Sequence, residues 1–183
     1  MRLSRERQSL TQQAVRLKAQ RHAYQHSYQP DARTLDRLAT RLQLLGQQLK
    51  AIGQDLAALL AAEPELARKL AHLTSVPGIG LTTAIEVVAE TSGFGLMENE
   101  RQLASYAGLD VVQRQSGLSA GATRISRRGN VRLRTALYLP AVSSLRFNPQ
   151  QMAFYARLRA RQPSGKPGVI AVMRKLLLLC YSL

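Results

Sequence analysis

The sequence predicts an almost entirely α-helical fold. Leucine and alanine dominate the 183 residues, aromatic residues make up only 5% of them, and tryptophan is absent. Leucine and alanine are strong helix formers, whereas aromatic residues are enriched in strands. Apolar residues account for 45% of the chain, which is enough to bury a core. We therefore expect one helical domain with a long appendage, or two small helical domains.

The first part, residues 1–62, is predicted to be a helical hairpin that forms a coiled-coil arm. Apolar residues in its second helix follow one another at alternating steps of three and four positions, as in a coiled-coil seam. They are Leu35, Leu38, Leu42, Leu45, Leu49, Ile52, Leu56 and Leu59. Leu10, Ala14 and Leu17 form a weaker stripe upstream, and Pro30 resists helix continuation between the two. We expect the arm to support a homo-oligomer; the alternative is a pair of helices packed on a globular core.

The remaining residues, 63–183, are predicted to form a compact helical domain that opens with a helix-hairpin-helix at about 66–92. Gly78 and Gly80 would make the tight turn between its two helices. In this motif, free backbone N–H groups at the start of the second helix bind a DNA phosphate without reading the base sequence. We expect both glycines to serve that contact. The alternative is a hairpin that only packs, because residues 71–100 contain no Lys or Arg.

The later elements follow from caps and helix breakers. Asn99 can cap a helix, and residues 109–126 lack a sustained period and are rich in Gly, Ser and Ala, which predicts a loop or a short ribbon. A helix is then expected from about residue 128 or 130, with a break where Asn148 precedes Pro149. Residues 162–168 resemble a linker before a terminal helix over 169–181.

Basic charge is concentrated in the second half of the chain. The formal net charge is +15, and the only acid after residue 100 is Asp110. A segment this basic repels itself unless phosphates neutralise it, so we expect a nucleic acid partner. A ribosomal or RNA-structural protein would also fit the charge.

Several other classes of protein are excluded. The single cysteine, Cys180, allows no disulfide framework and no cysteine-based zinc site, and the three histidines are scattered. We expect no metal site on this chain. No apolar stretch reaches the roughly 18 to 20 residues of a membrane span, so we expect no membrane partner and a cytoplasmic location.

The loop at 109–126 is the candidate for chemistry. Phosphoryl transfer needs an in-line nucleophile and positive charge around the phosphate oxygens. Ser116, followed by Gly117, would supply the nucleophile, although such a turn is more often a phosphate-binding turn, and Ser119 and Ser126 compete with it. The predicted nucleic-acid-binding side chains are Arg114, Arg124, Arg127, Arg128, Arg132 and Arg134.

Five sequence blocks, in order, resemble the C-terminal transposase domain of the IS110 family of bacterial insertion sequences. They are Leu73–Ala84, Arg101–Leu109, Arg114–Gly117, Ile125–Arg134 and Val172–Leu177. The resemblance implies a serine-dependent DNA recombinase guided by a structured bridge RNA, in which a coiled-coil arm precedes this domain. The family's Ser-Gly serine falls on Ser116, which the resemblance therefore makes the nucleophile.

One departure from the family concerns its metal site. The resemblance implies an N-terminal RuvC-like domain with four acidic residues that bind magnesium, and this sequence starts at the arm. Asp31, Asp36 and Asp55 lie in helical or turn context and do not make up such a tetrad. We expect Mg²⁺ only in that missing domain, and we expect the chain to be a truncated product, a fragment or half of a split system.

The sequence therefore predicts the DNA-binding C-terminal half of an insertion-sequence transposase from the bacterial nucleoid. Ser116 would attack a DNA phosphate and form a covalent intermediate, with DNA and a guide RNA as partners. Whether this chain alone is an enzyme stays open, since we expect it to cut DNA poorly or not at all without the acidic domain. The alternative is a non-catalytic DNA- or RNA-binding helical module from a truncated transposase.

Overall fold

A computed structural model describes residues 2–112, 115–116, 119–120, 124–161 and 164–183, with the backbone alone at 115–116 and 119–120. The all-α prediction is confirmed. The described helices are α1 (Arg2–Gln25), α2 (Ala32–Ala62), α3 (Pro64–Thr74), α4 (Leu81–Glu90), α5 (Glu100–Tyr106), α6 (Val131–Phe147), α7 (Pro149–Arg161) and α8 (Gly165–Ser182). The described strands are two residues long each: β1 (Val111–Val112), β2 (Gln115–Ser116), β3 (Ser119–Ala120) and β4 (Arg124–Ile125).

The chain divides into two compact units, Met1–Ala67 and Arg68–Leu183. This division falls inside α3, whereas the sequence predicts a boundary between residues 62 and 63. Each unit has its own apolar core.

The first unit is a hairpin in which α1 packs along α2. Leu17, Leu38 and Leu45 form its buried core, and the apolar residues predicted from the heptad spacing are buried or partly buried except Leu59. Asp31 caps α2 by accepting hydrogen bonds from the backbone N–H groups of Arg33 and Thr34. The hydrogen bond from the Thr34 hydroxyl is the main reason that the pKa of Asp31 lies below its usual value. The coiled coil and its role in oligomerisation stay predictions.

The second unit is built around α6 and α8. Helix α8 packs against α5, α6 and α7, and α6 also packs against α4. Its fully buried residues are largely leucines from these helices, among them Leu103, Leu133, Leu137, Leu176 and Leu177. Between α4 and α5 the chain makes a short 3₁₀ turn at Ser92–Phe94.

The two predicted helix caps, Asn99 and Asn148, occur where the sequence places them, and Asn130 forms a third that was not predicted. The Asn99 side chain accepts a hydrogen bond from the Gln102 N–H at 2.9 Å at the start of α5. Asn148 ends α6 and caps α7, which begins at Pro149. Asn130 caps α6 by accepting from the Leu133 N–H at 3.1 Å. Short polar side chains before each helix therefore fix these helix starts.

The predicted linker before the last helix is wrong at its C-terminal end. Helix α8 begins at Gly165 rather than near residue 169. Pro167 occupies the first turn, where a missing N–H costs no helical hydrogen bond. The Tyr155 ring packs against Gly168 so closely that a Cβ there would lie 2.7 Å from Tyr155 Cε2. Gly165 and Gly168 therefore leave room for the Tyr155 side chain, and both belong to the helix and not to a linker.

Candidate nucleic-acid interface

Two segments, 106–112 and 124–134, meet at the base of the loop that carries Ser116. β1 pairs antiparallel with β4, with Val111 opposite Ile125. Below the strands the pairing continues, because the Ser126 N–H donates to Asp110 O at 3.0 Å and the Asn130 N–H donates to Tyr106 O at 2.6 Å. These backbone hydrogen bonds join the two segments and hold the base of the loop closed.

Two glycines allow the segments to come this close. Gly108 has a φ of +65°, and a Cβ there would lie 2.7 Å from the backbone N of Gly129. A Cβ on Gly129 would collide with the carbonyl oxygen of Tyr106. Any side chain at Gly129 would push the two segments apart, so this position needs glycine for space alone.

Side chains also fasten the base of the loop. The Ser126 hydroxyl donates a hydrogen bond to the Asp110 carboxylate. The Arg134 guanidinium donates to Ala107 O at 2.8 Å and to Arg127 O at 3.2 Å. Arg134 was predicted to bind nucleic acid; its described contacts are with backbone carbonyls of this chain, and a phosphate contact by Arg134 stays a prediction.

A polar cluster joins this base to the end of α4. The Asn130 amide donates to Glu90 Oε2 at 2.9 Å and to the Tyr106 hydroxyl at 3.2 Å. The Tyr106 hydroxyl in turn donates to the backbone carbonyl of Glu90 at 2.8 Å. Arg132 NH1 lies 3.9 Å from Glu90 Oε1. No local sequence pattern predicts this cluster, because Glu90 and Asn130 are 40 residues apart.

The other described arginines that were predicted to bind nucleic acid are exposed to solvent at the base of the loop. Arg124, Arg127 and Arg128 are exposed, and the Arg132 side chain is 47% exposed. Arg127 has a φ of +56°, a backbone conformation that residues other than glycine rarely adopt. Four cationic side chains within nine residues therefore face water beside the loop.

The loop itself is described only in part. β2 pairs antiparallel with β3, with Ser116 opposite Ser119, so the backbone of Ser116 lies in a short ribbon. The side chains of both serines, and all of Arg114, lie outside the described residues. The catalytic assignment of Ser116 therefore stays a prediction.

The turn between α3 and α4 gives its two glycines different surroundings. Gly78 has a φ of +104°, and a Cβ there would lie 2.9 Å from Ser144 Cβ and 3.1 Å from Pro140 O on α6. Gly78 therefore serves the packing of the turn against α6. Gly80 is exposed, caps α4 without a side-chain hydrogen bond, and leaves open space where a Cβ would stand.

Other reactive groups in the described residues are limited. Burial raises the pKa of the Cys180 thiol to about 12, which keeps it protonated and unreactive at neutral pH. Within the ranges that the structure covers, no three His, Cys, Asp or Glu side chains gather in a group suited to a metal ion. None of the described helices combines the length and the apolar character needed to cross a membrane.

Comparison with known proteins agrees with the sequence blocks. Residues 70–156 match the sequence model of the "Transposase IS116/IS110/IS902 family". The "Pilin gene-inverting protein" of Moraxella bovis is 34% identical over 126 residues, covering 68% of this chain and 39% of that protein. The "Insertion element IS110 uncharacterized 43.6 kDa protein" of Streptomyces coelicolor is 33% identical over 149 residues, covering 79% and 35%.

A further relative is the "Insertion element IS900 uncharacterized 42 kDa protein" of Mycobacterium paratuberculosis. It is 29% identical over 163 residues, covering 87% of this chain and 40% of that protein. The chain thus spans between a third and about two fifths of the length of these relatives. The matched region includes the α3–α4 turn, the loop and α6. On these matches the chain belongs to the IS116/IS110/IS902 family of transposases and carries its C-terminal transposase domain.

Proposed function

We propose that this chain binds DNA and takes part in its transposition, with Ser116 forming a covalent bond to a DNA phosphate. The observation that carries the proposal is the closed base of the loop. It holds Arg124, Arg127 and Arg128 exposed at the foot of the ribbon that contains Ser116. Guanidinium groups in this position would neutralise the charge that develops on the phosphate oxygens.

The chemistry conserves the energy of the broken bond. The Ser116 oxygen attacks phosphorus, the bond from phosphorus to one sugar oxygen breaks, and the departing oxygen gains the proton that the serine loses. Attack by a sugar hydroxyl on the phosphoserine reverses the step and rejoins DNA. This suits a family in which one relative is named for inverting a gene, because inversion requires every cut end to be joined again.

Among the three candidate serines, the structure supports Ser116 over Ser126. The Ser126 hydroxyl is partly buried and donates its proton to Asp110, where it fastens the loop base. Ser119 lies opposite Ser116 in the ribbon and remains the competitor. We choose Ser116 over Ser119 because Ser116 is followed by Gly117, and the family resemblance places the nucleophile in a Ser-Gly pair.

The rest of the interface would hold DNA without reading its sequence. The α4 N-terminus begins at the exposed Gly80, whose lack of a side chain leaves room for a phosphate near the first N–H groups of the helix. The first unit would act as a coiled-coil arm that joins copies of the chain, and a guide RNA would select the target. The family resemblance implies an acidic RuvC-like domain that binds Mg²⁺, and we propose that any Mg²⁺ the reaction needs is bound by that domain.

The test is a search for a protein–DNA adduct. The chain is mixed with target DNA, guide RNA and a RuvC-like domain of the same family, and the adduct is resolved on a denaturing gel. We expect Ser116→Ala to abolish the adduct, while Ser119→Ala retains it. An adduct undiminished in Ser116→Ala would reject the assignment and leave the non-catalytic binding module as the better account.

A further inference from the structure

The Glu90 side chain occupies a position that is costly for a carboxylate. It is the last residue of α4, and its side chain is only 3% exposed. A negative charge there faces the negative end of the helix dipole, and its removal from water adds a desolvation penalty. An uncharged side chain of the same size would fill the same space without these penalties. The negative charge is therefore best explained by the groups that the carboxylate contacts.

Arg132 also occupies a helix end whose dipole disfavours its charge. It is the second residue of α6, where the positive end of the helix dipole disfavours a cation. Glu90 Oε1 lies 3.9 Å from its NH1 atom, which is an ion pair but too long for a hydrogen bond. The carboxylate therefore attracts the guanidinium while leaving its N–H donors available, and the side chain is still 47% exposed.

The same carboxylate also fixes the backbone from which Arg132 projects. Glu90 Oε2 accepts from the Asn130 amide at 2.9 Å, and Asn130 caps α6. The Tyr106 hydroxyl donates to the backbone carbonyl of Glu90 and accepts from the same asparagine. One acidic residue thus holds both the start of α6 and the arginine in its first turn.

We propose that Glu90 is a positioning residue that presents Arg132 to a DNA phosphate at the foot of the Ser116 loop. This rests on the proposed function, since the phosphate belongs to the DNA that the chain binds. In this role Glu90 acts through Arg132 and Asn130.

The sign of one substitution separates this role from a general charge effect. Glu90→Gln keeps the size of the side chain and an oxygen for Asn130 but removes a negative charge. If Glu90 were only an acid near a polyanion, its neutralisation would tighten DNA binding. The positioning role predicts the reverse, a loss of about three- to tenfold in affinity, because Arg132 is no longer directed to the phosphate. Glu98→Gln, which neutralises an exposed acid of the same unit, is the matched control and should bind DNA as tightly as the wild type or slightly more tightly.

The measurement is the dissociation constant for a fluorescent DNA duplex at several salt concentrations, on variants first checked by thermal melting. We expect Arg132→Gln to weaken binding as much as Glu90→Gln, and the double variant to bind no worse than either. Each should lower the salt slope by about one, as for the loss of one phosphate contact. Unchanged or tighter binding by Glu90→Gln, or losses that add in the double variant, would overturn the proposal.

A second comparison does not depend on how well Glu90→Gln folds. Arg132→Gln is set beside Arg101→Gln, an exposed arginine at the start of α5. We expect the first to lose several times more affinity than the second, and equal losses would refute the positioning role. If the wild type fails to bind DNA at all, the proposed function itself fails, and that result is distinct from either outcome.

Discussion

At the residue scale, Gly129 is a position where the backbone leaves no room for a side chain. Gly129→Ala should destabilise the second unit by about 2 to 4 kcal/mol, because the new Cβ would collide with the Tyr106 carbonyl. Gly53→Ala in α2 is the control, since nothing lies within 4 Å of a Cβ there, and it should stabilise the arm by about 1 kcal/mol. Urea unfolding measures both. Equal stability of Gly129→Ala and the wild type would contradict the close approach at the loop base.

Arg134 gives the second prediction at this scale. Arg134→Gln removes guanidinium hydrogen bonds to Ala107 O and Arg127 O. We expect faster hydrogen exchange at the amides of Ser126 and Asn130, which bond across the loop base, and no change in α1 or α2. A variant that loses DNA affinity without this local opening would instead support the direct phosphate contact predicted from the sequence.

At the element scale, the α1–α2 hairpin depends on its leucine seam. Leu38 is buried in the hairpin core, whereas Leu44 on the same helix is 54% exposed. Leu38→Ala should therefore cost about 2 to 4 kcal/mol, and Leu44→Ala well under 1 kcal/mol. Helical circular dichroism during unfolding of each full-length variant checks the difference. Similar losses at the two positions would show that another face of α2 forms the contact.

Sequence reasoning was strongest for elements with local signals. The three- and four-residue spacing around Leu38 and Leu45 predicted the buried face of α2, and asparagines at 99 and 148 predicted two helix starts. It was weakest where distant segments meet. No local sequence pattern reveals that Glu90 pairs with Asn130, which lies 40 residues away. The start of α8 was also missed, since only the Tyr155 ring explains why Gly168 belongs in a helix.

At the scale of the whole molecule, the excess of basic charge should govern DNA binding. Charge reversal of Arg127 and Arg128 together should weaken binding uniformly across DNA sequences and reduce the salt slope by about two. Arg146→Glu, at the opposite end of α6, is the control and should change the slope less. Fluorescence anisotropy over a salt series measures both. An unchanged slope in the double variant would place the phosphate contacts elsewhere on the chain.

Peptide mapping of the protein–DNA adduct can identify the residue that becomes covalently joined to DNA, which we propose is Ser116. Trypsin cuts after Arg114 and Arg124, so Ser116 and Ser119 share one peptide, and Ser126 falls in the next. We expect the nucleotide-bearing peptide to be 115–124 and its fragmentation to assign the phosphodiester to Ser116. A nucleotide on Ser119 or Ser126, or DNA cut with no protein-linked nucleotide, would contradict it.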